Sequence, residues 1–188
     1  MRGAEAILTK STFEGKSCLV KERIPKTYRL SELDLLLRKR RTRGEAKLLQ
    51  KVKSLGIPCP EVFEVGEFHI KISIIEGERP EEDPAHIRNA AEILATLHNN
   101  DIIHGDFTFA NLLLSKENSK EKLYVIDFGL GSFSHKIEHK AIDVFTMILS
   151  LHSKDKAKLF LETYLKNSKD QSQILKRLGE IEKRVRYS

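Results

Sequence analysis

His104-Gly105-Asp106-Phe107-Thr108-Phe109-Ala110-Asn111 and, after a gap, Asp127-Phe128-Gly129 are the stretches on which the reading of this chain turns. The first sets an aspartate and an asparagine five positions apart; the second opens on another aspartate. Between them, the short apolar runs Leu112–Leu114 and Leu123–Ile126 flank a polar loop, Ser115–Glu121. That pattern predicts a hairpin. A hairpin brings its two ends together, so Asp106, Asn111 and Asp127 are expected to share one place although they are distant in sequence.

Such a spacing resembles the catalytic loop and metal-binding aspartate of protein kinases. Phosphoryl transfer asks for donor and acceptor held in line and for phosphate charge to be neutralised; it asks little covalent chemistry of the protein. Asp106 is expected to accept or orient the acceptor's proton. Asn111 and Asp127 are expected to give Mg²⁺ the hard oxygen ligands it prefers. One aspartate in a loop is ordinary, whereas two such motifs at the ends of one hairpin are not.

Working toward the N-terminus, Ala85–Asn99 has the period of an amphipathic helix, with Ile87, Ala91, Leu94 and Leu97 on one side. Glu76-Gly77-Glu78 reads as a linker. Before it, Val62–Val65 and His69–Ile75 read as strands turning at Gly66-Glu67. Leu30–Leu55 reads as a helix in which Leu33, Leu36, Leu37, Leu48, Leu49 and Val52 recur at helical spacings. Gly56 sits where a helix C-terminus wants a left-handed residue, and Pro58 and Pro60 forbid continuation. Ala6–Thr9 and Ser17–Arg23 read as short strands joined around Gly15. All five prolines fall by Pro84. The first part of the chain therefore reads as irregular and strand-bearing and the second as more helical. Beyond Gly129, Ala141–Leu151, Lys156–Leu165 and Gln173–Val185 are predicted helices. The fold class is α+β: an N-terminal lobe over 1–75 with an antiparallel sheet and a helix, and a mainly helical C-terminal lobe over 76–188.

A cation on a strand, oriented by a helix carboxylate, should grip the α- and β-phosphates of a nucleotide. Lys21 fits on Cys18-Leu19-Val20-Lys21 and Glu45 on the following helix, with Glu22 and Glu32 as rivals for the acidic role. The phosphate-covering loop is atypical: no G-x-G-x-x-G run exists, and Gly3-Ala4-Glu5-Ala6 occupies its place. Gly3, Ala4, Glu5, Ile7, Lys21, Glu45 and Ile75 are the candidate ATP contacts.

Hydrophobic residues make up 40% of the 188, enough for a sizeable core, and the formal charge is +6. That excess suits a solvated surface or a polyanionic partner. Cys18 and Cys59 are the only cysteines. Two without paired spacing argue against a disulfide framework and a cysteine zinc site, and for a reducing, cytoplasmic setting. Met1–Lys16 lacks the long apolar run of a secretory signal, and nothing approaches a membrane span, so no membrane partner is expected. His135 and His139 stand four apart without a third ligand, so they read as surface histidines. His98 and His104 read as structural.

Pro25-Lys26-Thr27-Tyr28-Arg29, then Leu33-Asp34, then Arg41-Thr42-Arg43-Gly44-Glu45-Ala46-Lys47-Leu48-Leu49, together with His-Gly-Asp where protein kinases carry His-Arg-Asp, closely resemble the small atypical serine/threonine kinase of the KEOPS complex. The resemblance runs from Gly3 to the basic tail. It implies a two-lobed kinase-like fold, ATP and Mg²⁺ as cofactors, and autophosphorylation or ATPase activity. It also implies docking on a metal-containing tRNA threonylcarbamoyltransferase and the other subunits of that complex, with tRNA within reach of the tail Lys183, Arg184 and Arg186. The roles given above to Lys21, Glu45, Asp106, Asn111 and Asp127 carry over.

No proline follows Pro84, so the Ala-Pro-Glu that ends an ordinary activation segment is absent. Asp143, which resembles the buried helix aspartate that anchors a catalytic loop, follows Asp127 by only sixteen positions. A platform for peptide substrates is therefore not expected. Two alternatives stand beside the kinase: a small-molecule phosphotransferase of the aminoglycoside or choline kinase type, and a non-catalytic interaction module. The first wants a large acceptor-binding insertion in the C-terminal lobe; the second has no need of metal ligands.

Overall fold

The computed structural model describes residues 6–117 and 120–186. The candidate phosphate-loop residues Gly3, Ala4 and Glu5 lie outside them. The chain divides into two units, one ending at Glu76 and one beginning at Gly77.

In the first unit β1 (Ala6–Phe13), β2 (Lys16–Arg23), β3 (Val62–Val65) and β4 (His69–Ser73) form an antiparallel sheet in the order β1-β2-β4-β3. β1 is longer than the sequence suggested. Phe13 pairs with Lys16 across a two-residue turn, Glu14-Gly15, and both turn residues have positive φ, 48° and 77°. That conformation follows the right-handed twist of the strands, so polar residues up to Phe13 stay in register. β4 is shorter than expected. Its last pairing residue is Ser73, opposite Cys18, so Ile74 and Ile75 lie beyond the strand. β-branching favours a strand, but a ladder needs a partner.

Helix α1 (Ser31–Ser54) follows β2. Acidic Glu32 and Asp34 stand in its first turn and basic Lys51 and Lys53 in its last, each complementing the helix dipole. Gly56, at φ 77°, turns the chain away. Only the C-terminal half of α1 builds an apolar core, through Ala46, Leu48, Leu49 and Val52. Leu33 and Leu36 are 48% and 63% exposed, so the leucines of the first half are not core positions.

The second unit holds α2 (Pro84–Asn99), β5 (Ile102–Ile103), a 3₁₀ turn over Phe109–Asn111, β6 (Leu112–Glu117), β7 (Lys120–Val125), β8 (Ser132–Phe133), α3 (Ile137–Ser150), α4 (Lys154–Asn167) and α5 (Gln171–Arg186). Asp83 caps α2, accepting the N–H groups of Ala85 and His86 at 2.8 and 2.9 Å, and Pro84 sets the first turn. Ser153 caps α4 in the same way. Ile87, Leu94, Leu97, Phe107, Leu112, Leu123, Phe128, Phe160 and Tyr164 fill the core.

The loop expected over Ser115–Glu121 is instead strand on both sides, with Ser115 opposite Lys122 and Lys116 opposite Glu121. Its polar side chains gave no alternating apolar signal. Glu78, expected in a linker, bridges to Leu114 and holds the root of this hairpin. α3 begins at Ile137, four residues earlier than its apolar pattern. His135 lies before that helix and His139 within it, so the two share no helical face.

Candidate active site

The loop from His104 to Asn111 hangs on one carboxylate. Asp143 of α3 accepts the backbone N–H of His104 at 2.7 Å and of Gly105 at 2.8 Å. It is 1% exposed. A third donor is the imidazole of His98, in the last turn of α2, at 3.3 Å. Because a carboxylate only accepts, His98 must donate from Nε2. Its Nδ1 is then a lone pair that takes the Tyr164 hydroxyl at 2.7 Å. Tyr164 of α4, His98 of α2 and Asp143 of α3 thus form a buried line ending on the loop from His104 to Asn111. Burial depresses the His98 pKa more than Asp143 raises it, so the ring is neutral. Lys140 lies beside this line. Burial pulls its pKa down, but Asp170 at 2.9 Å and Asp101 at 3.1 Å outweigh that and leave it raised.

His104 is fully buried and works as a spacer. Its Nε2 donates to the Ile126 carbonyl at 3.0 Å, and its Nδ1 accepts the Asp106 N–H at 3.3 Å. It therefore ties the loop to the chain just before Asp127. Phe107 and Phe128 pack on its ring at 5.4 and 4.6 Å, and burial again keeps it neutral.

Gly105 has φ +84°, and a Cβ there would stand 2.4 Å from the Leu130 carbonyl oxygen. That contact gives the physical reason for His-Gly-Asp in place of His-Arg-Asp. The chain after Asp127-Phe128-Gly129 lies directly against the catalytic loop, where no side chain fits. The same segment is pinned by β5 and β8, which pair Ile102 with Phe133 and Ile103 with Ser132. Ser134 adds an N–H to the Asp101 carbonyl at 2.8 Å.

Asp106 is exposed. The Asn111 amide donates to its carbonyl at 2.8 Å and to its carboxylate at 2.9 Å, fixing the rotation of the side chain. Both bonds use Nδ2, so the carbonyl oxygen of the Asn111 amide keeps its lone pairs for another partner. The backbone of Ile126 donates to the Asn111 carbonyl at 3.0 Å, so both ends of the β6–β7 hairpin meet here. Asp127 adopts φ +61°, unusual for a residue with a side chain, and its carboxylate accepts the Gly129 N–H at 3.2 Å. Such conformations cost roughly 1–3 kcal/mol and collect at functional sites. Among the described residues no three His, Cys, Asp or Glu gather into a metal-holding group. The side-chain oxygens of Asn111 and Asp127 are of the kind magnesium takes, which binds through one or two protein oxygens with water and substrate phosphate completing the shell.

In the first unit, Lys21 of β2 donates to Glu45 of α1 at 2.5 Å, with Glu45 3% exposed. Glu22 and Glu32 are exposed. The sequence reading missed Arg23, which binds the other Glu45 oxygen at 2.7 Å and is itself buried. Its signal was available: residues two apart on a strand share a face, so Lys21 and Arg23 point the same way. Ile7 lies in β1 and is half-buried, as is Ile75.

No family model matches the chain. Curated relatives do. Over 99% of its length the chain is 37% identical to a probable bifunctional tRNA threonylcarbamoyladenosine biosynthesis protein of Methanosarcina mazei. It is 39% and 36% identical to proteins of the same description in Methanobrevibacter smithii and Methanocaldococcus jannaschii. The chain spans only 35–36% of the length of these relatives. Among solved structures it resembles the Rio2 kinase of Chaetomium thermophilum, crystallised as an ADP/Mg²⁺-phosphoaspartate complex. The TM-score is 0.68 with 18% identity, over 100% of this chain and 70% of that one. WaaP, solved with acyl carrier protein, gives 0.66 with 14% identity, over 97% and 86%. The chain therefore has the kinase-like fold and is homologous, from end to end, to about one third of the bifunctional tRNA threonylcarbamoyladenosine biosynthesis proteins.

Proposed function

We propose that this protein is an ATP- and Mg²⁺-dependent atypical serine/threonine kinase or ATPase that works in the cytoplasm as a subunit of the KEOPS assembly for threonylcarbamoyladenosine in tRNA. The observation that carries the reading is the loop held by Asp143, which presents Asp106 beside Asn111 with Asp127 at the other end of the same hairpin. In this reading Lys21, steadied by Glu45, grips the nucleotide's phosphates. Asn111 and Asp127 would hold Mg²⁺, which would supply charge neutralisation to the transferred group. Asp106 takes the proton of the attacking oxygen as its bond to the γ-phosphorus forms and the bond to ADP breaks.

The homology to proteins described as bifunctional supports the assembly half of the proposal. The second activity belongs, in this reading, to a metal-containing transferase with which the chain assembles. No described helix is long and apolar enough to cross a membrane. The segment between Asp127 and α3 is short and its start lies against Gly105, which suits phosphorylation of itself or hydrolysis of ATP better than phosphorylation of free peptides.

The test is incubation of the full chain with ATP and Mg²⁺. ADP, protein-bound phosphate and phosphorylated small acceptors are measured separately, for wild type and for Asp106→Ala. Loss of ADP release and self-labelling in the variant is expected. Equal rates would refute the site, and vigorous phosphorylation of many unrelated peptides would refute the substrate reading.

A further inference from the structure

A second concentration of chemistry lies in the first unit, touching the residues assigned to phosphotransfer only where Arg23 bonds Glu45. The end of β2, the segment after it and two turns of α1 form a recess lined by Arg23, Ile24, Lys26, Arg29, Arg38 and Arg41. Five of these six are cations, of which Arg23 is already bonded to Glu45. Such a gathering is unfavourable in isolation, and the fold holds it with a carboxylate at its base. Asp34, whose side chain is 5% exposed, takes the Arg38 guanidinium at 2.6 Å, the Lys26 backbone N–H at 3.2 Å and Arg29 at 3.6 Å. Burial alone would raise its pKa, but the bonds from Arg38 and Lys26 hold it down, so it is ionised. Arg38 is fixed further by the Arg23 carbonyl at 3.4 Å and by the Phe68 ring 4.0 Å below its guanidinium. The cations are thus pre-set, and the carboxylate that sets them lies behind them.

Beside this recess stands an aromatic side chain with an unusual exposure. Lys26 and Arg29 close a tight turn through a backbone bond of 3.1 Å, and Tyr28 rides on its tip, 76% exposed. The Arg29 guanidinium lies 5.2 Å from the Tyr28 ring centre and donates to its hydroxyl at 3.2 Å. A forked guanidinium matches the oxygens of a phosphate, and an open aromatic face accepts a nucleobase. The carboxylates of an acidic peptide answer the arginines but do not themselves stack on Tyr28.

From this juxtaposition we infer that the Lys26–Arg29 turn and the recess behind it form a phosphate-binding site for an RNA strand, with Tyr28 stacking on an unpaired base. The phosphate chemistry stands on the recess alone. The choice of RNA as its carrier rests on the tRNA-modification reading, and Tyr28 and Arg29, the residues tested, are not among those that reading assigns to catalysis.

The experiment uses the full chain and two probes: a labelled tRNA transcript and a short labelled single-stranded oligoribonucleotide. Binding is followed by anisotropy across a salt series, alongside ATP turnover and thermal unfolding. Tyr28→Ala should weaken binding of the single strand by about tenfold, the range of one base-stacking contact, while Tyr28→Phe keeps it. Arg29→Ala should reduce the slope of log affinity against log salt by roughly one unit. Turnover should not change in either, and Tyr28 is too exposed for its loss to threaten the fold. Wild-type affinity and slope in both variants would overturn the proposal. So would polyglutamate displacing the RNA as well as unlabelled RNA does, which would make the recess an acidic-protein site. Inorganic phosphate binding the wild type while neither RNA does would reduce it to a free-phosphate site and also overturn it. Absent ATP turnover with intact RNA binding would sink the kinase reading and leave this one standing.

Discussion

The carboxylate of Asp143 accepts the backbone N–H of His104 at 2.7 Å, although the two are 39 residues apart in sequence. Replacing Asp143 by alanine leaves three donors, the amides of His104 and Gly105 and the His98 Nε2–H, without their acceptor. Each orphaned buried group costs about 1–3 kcal/mol. Asp143→Ala should lower the urea midpoint by the equivalent of several such units and remove turnover. Asp143→Asn, which keeps one accepting oxygen, should fall between. An unchanged midpoint in the alanine variant would show that the loop is held by something else.

Asp106→Ala should reduce ATP turnover roughly a hundredfold or more, the usual contribution of a positioned acid–base group. Asp127→Ala should act differently, raising the Mg²⁺ concentration needed for half-maximal rate. A metal titration at saturating ATP separates the two, and coincident curves for Asp127→Ala and wild type would remove it from the metal site.

Acid should unfold this protein through its histidines. His98 and His104 are held neutral by burial, with pKa values below the ordinary 6.5. In the unfolded chain they protonate near that value, so below it the unfolded state binds more protons and stability falls. Above it their contribution is constant. Unfolding midpoints between neutral pH and pH 5 should drop in wild type, and drop less steeply in His98→Gln. Parallel pH profiles would count against burial of His98 as the cause.

Gly105→Ala should destabilise by more than the half to one kcal/mol or so that such a change is worth at a permissive site, because φ is +84° and the new Cβ meets the Leu130 carbonyl. Restoring the kinase-like arginine should do worse. Thermal unfolding reads both, and a neutral or stabilising outcome would mean that Leu130 can move away.

The basic tail has a structural duty alongside any contact with tRNA. Arg184 and Arg177 of α5 both reach Glu138 of α3, at 3.2 and 3.0 Å. Removing residues 184–188 should cost less than about 1 kcal/mol, as exposed ion pairs usually do. If the tail also meets tRNA, the assembled complex lacking it should bind tRNA more weakly and with a shallower salt slope. Superimposed salt curves would assign the tail to α3 alone.

The helices, the first-unit sheet and the place of the hairpin were legible because each carries a periodic apolar signal or a turn residue. Leu94 and Leu97 announce α2, and Gly56 announces the end of α1. Polar ladders were not legible. Thr9 to Thr12, and Lys116 with Glu121 and Lys122, pair through their backbones, and their side chains face solvent on terms that loops share. Nor was β5–β8, which is two residues long on each side. Among the candidate site residues, Lys21, Glu45, Asp106, Asn111 and Asp127 were named from motif order. Arg23 and Tyr164 were not. A buried arginine and a buried tyrosine look like surface residues until the carboxylate or imidazole that receives them is placed. The leucines of early α1 misled in the opposite direction: helical spacing of apolar residues says that a face is apolar, not that it is covered.

The short ladder of β5 and β8 also makes the chain beyond it a natural point for growth. Phe133 is the last residue the ladder holds, and Ser134 is tied once more to Asp101 before α3 begins at Ile137. Residues added between Ser134 and Ile137 would enlarge a loop whose two ends are already anchored. Closing a loop of doubled length costs only about 0.6 kcal/mol more. A descendant of this protein, or a designed one, could therefore acquire a docking segment for new acceptors at that junction without disturbing the contact of Leu130 with Gly105.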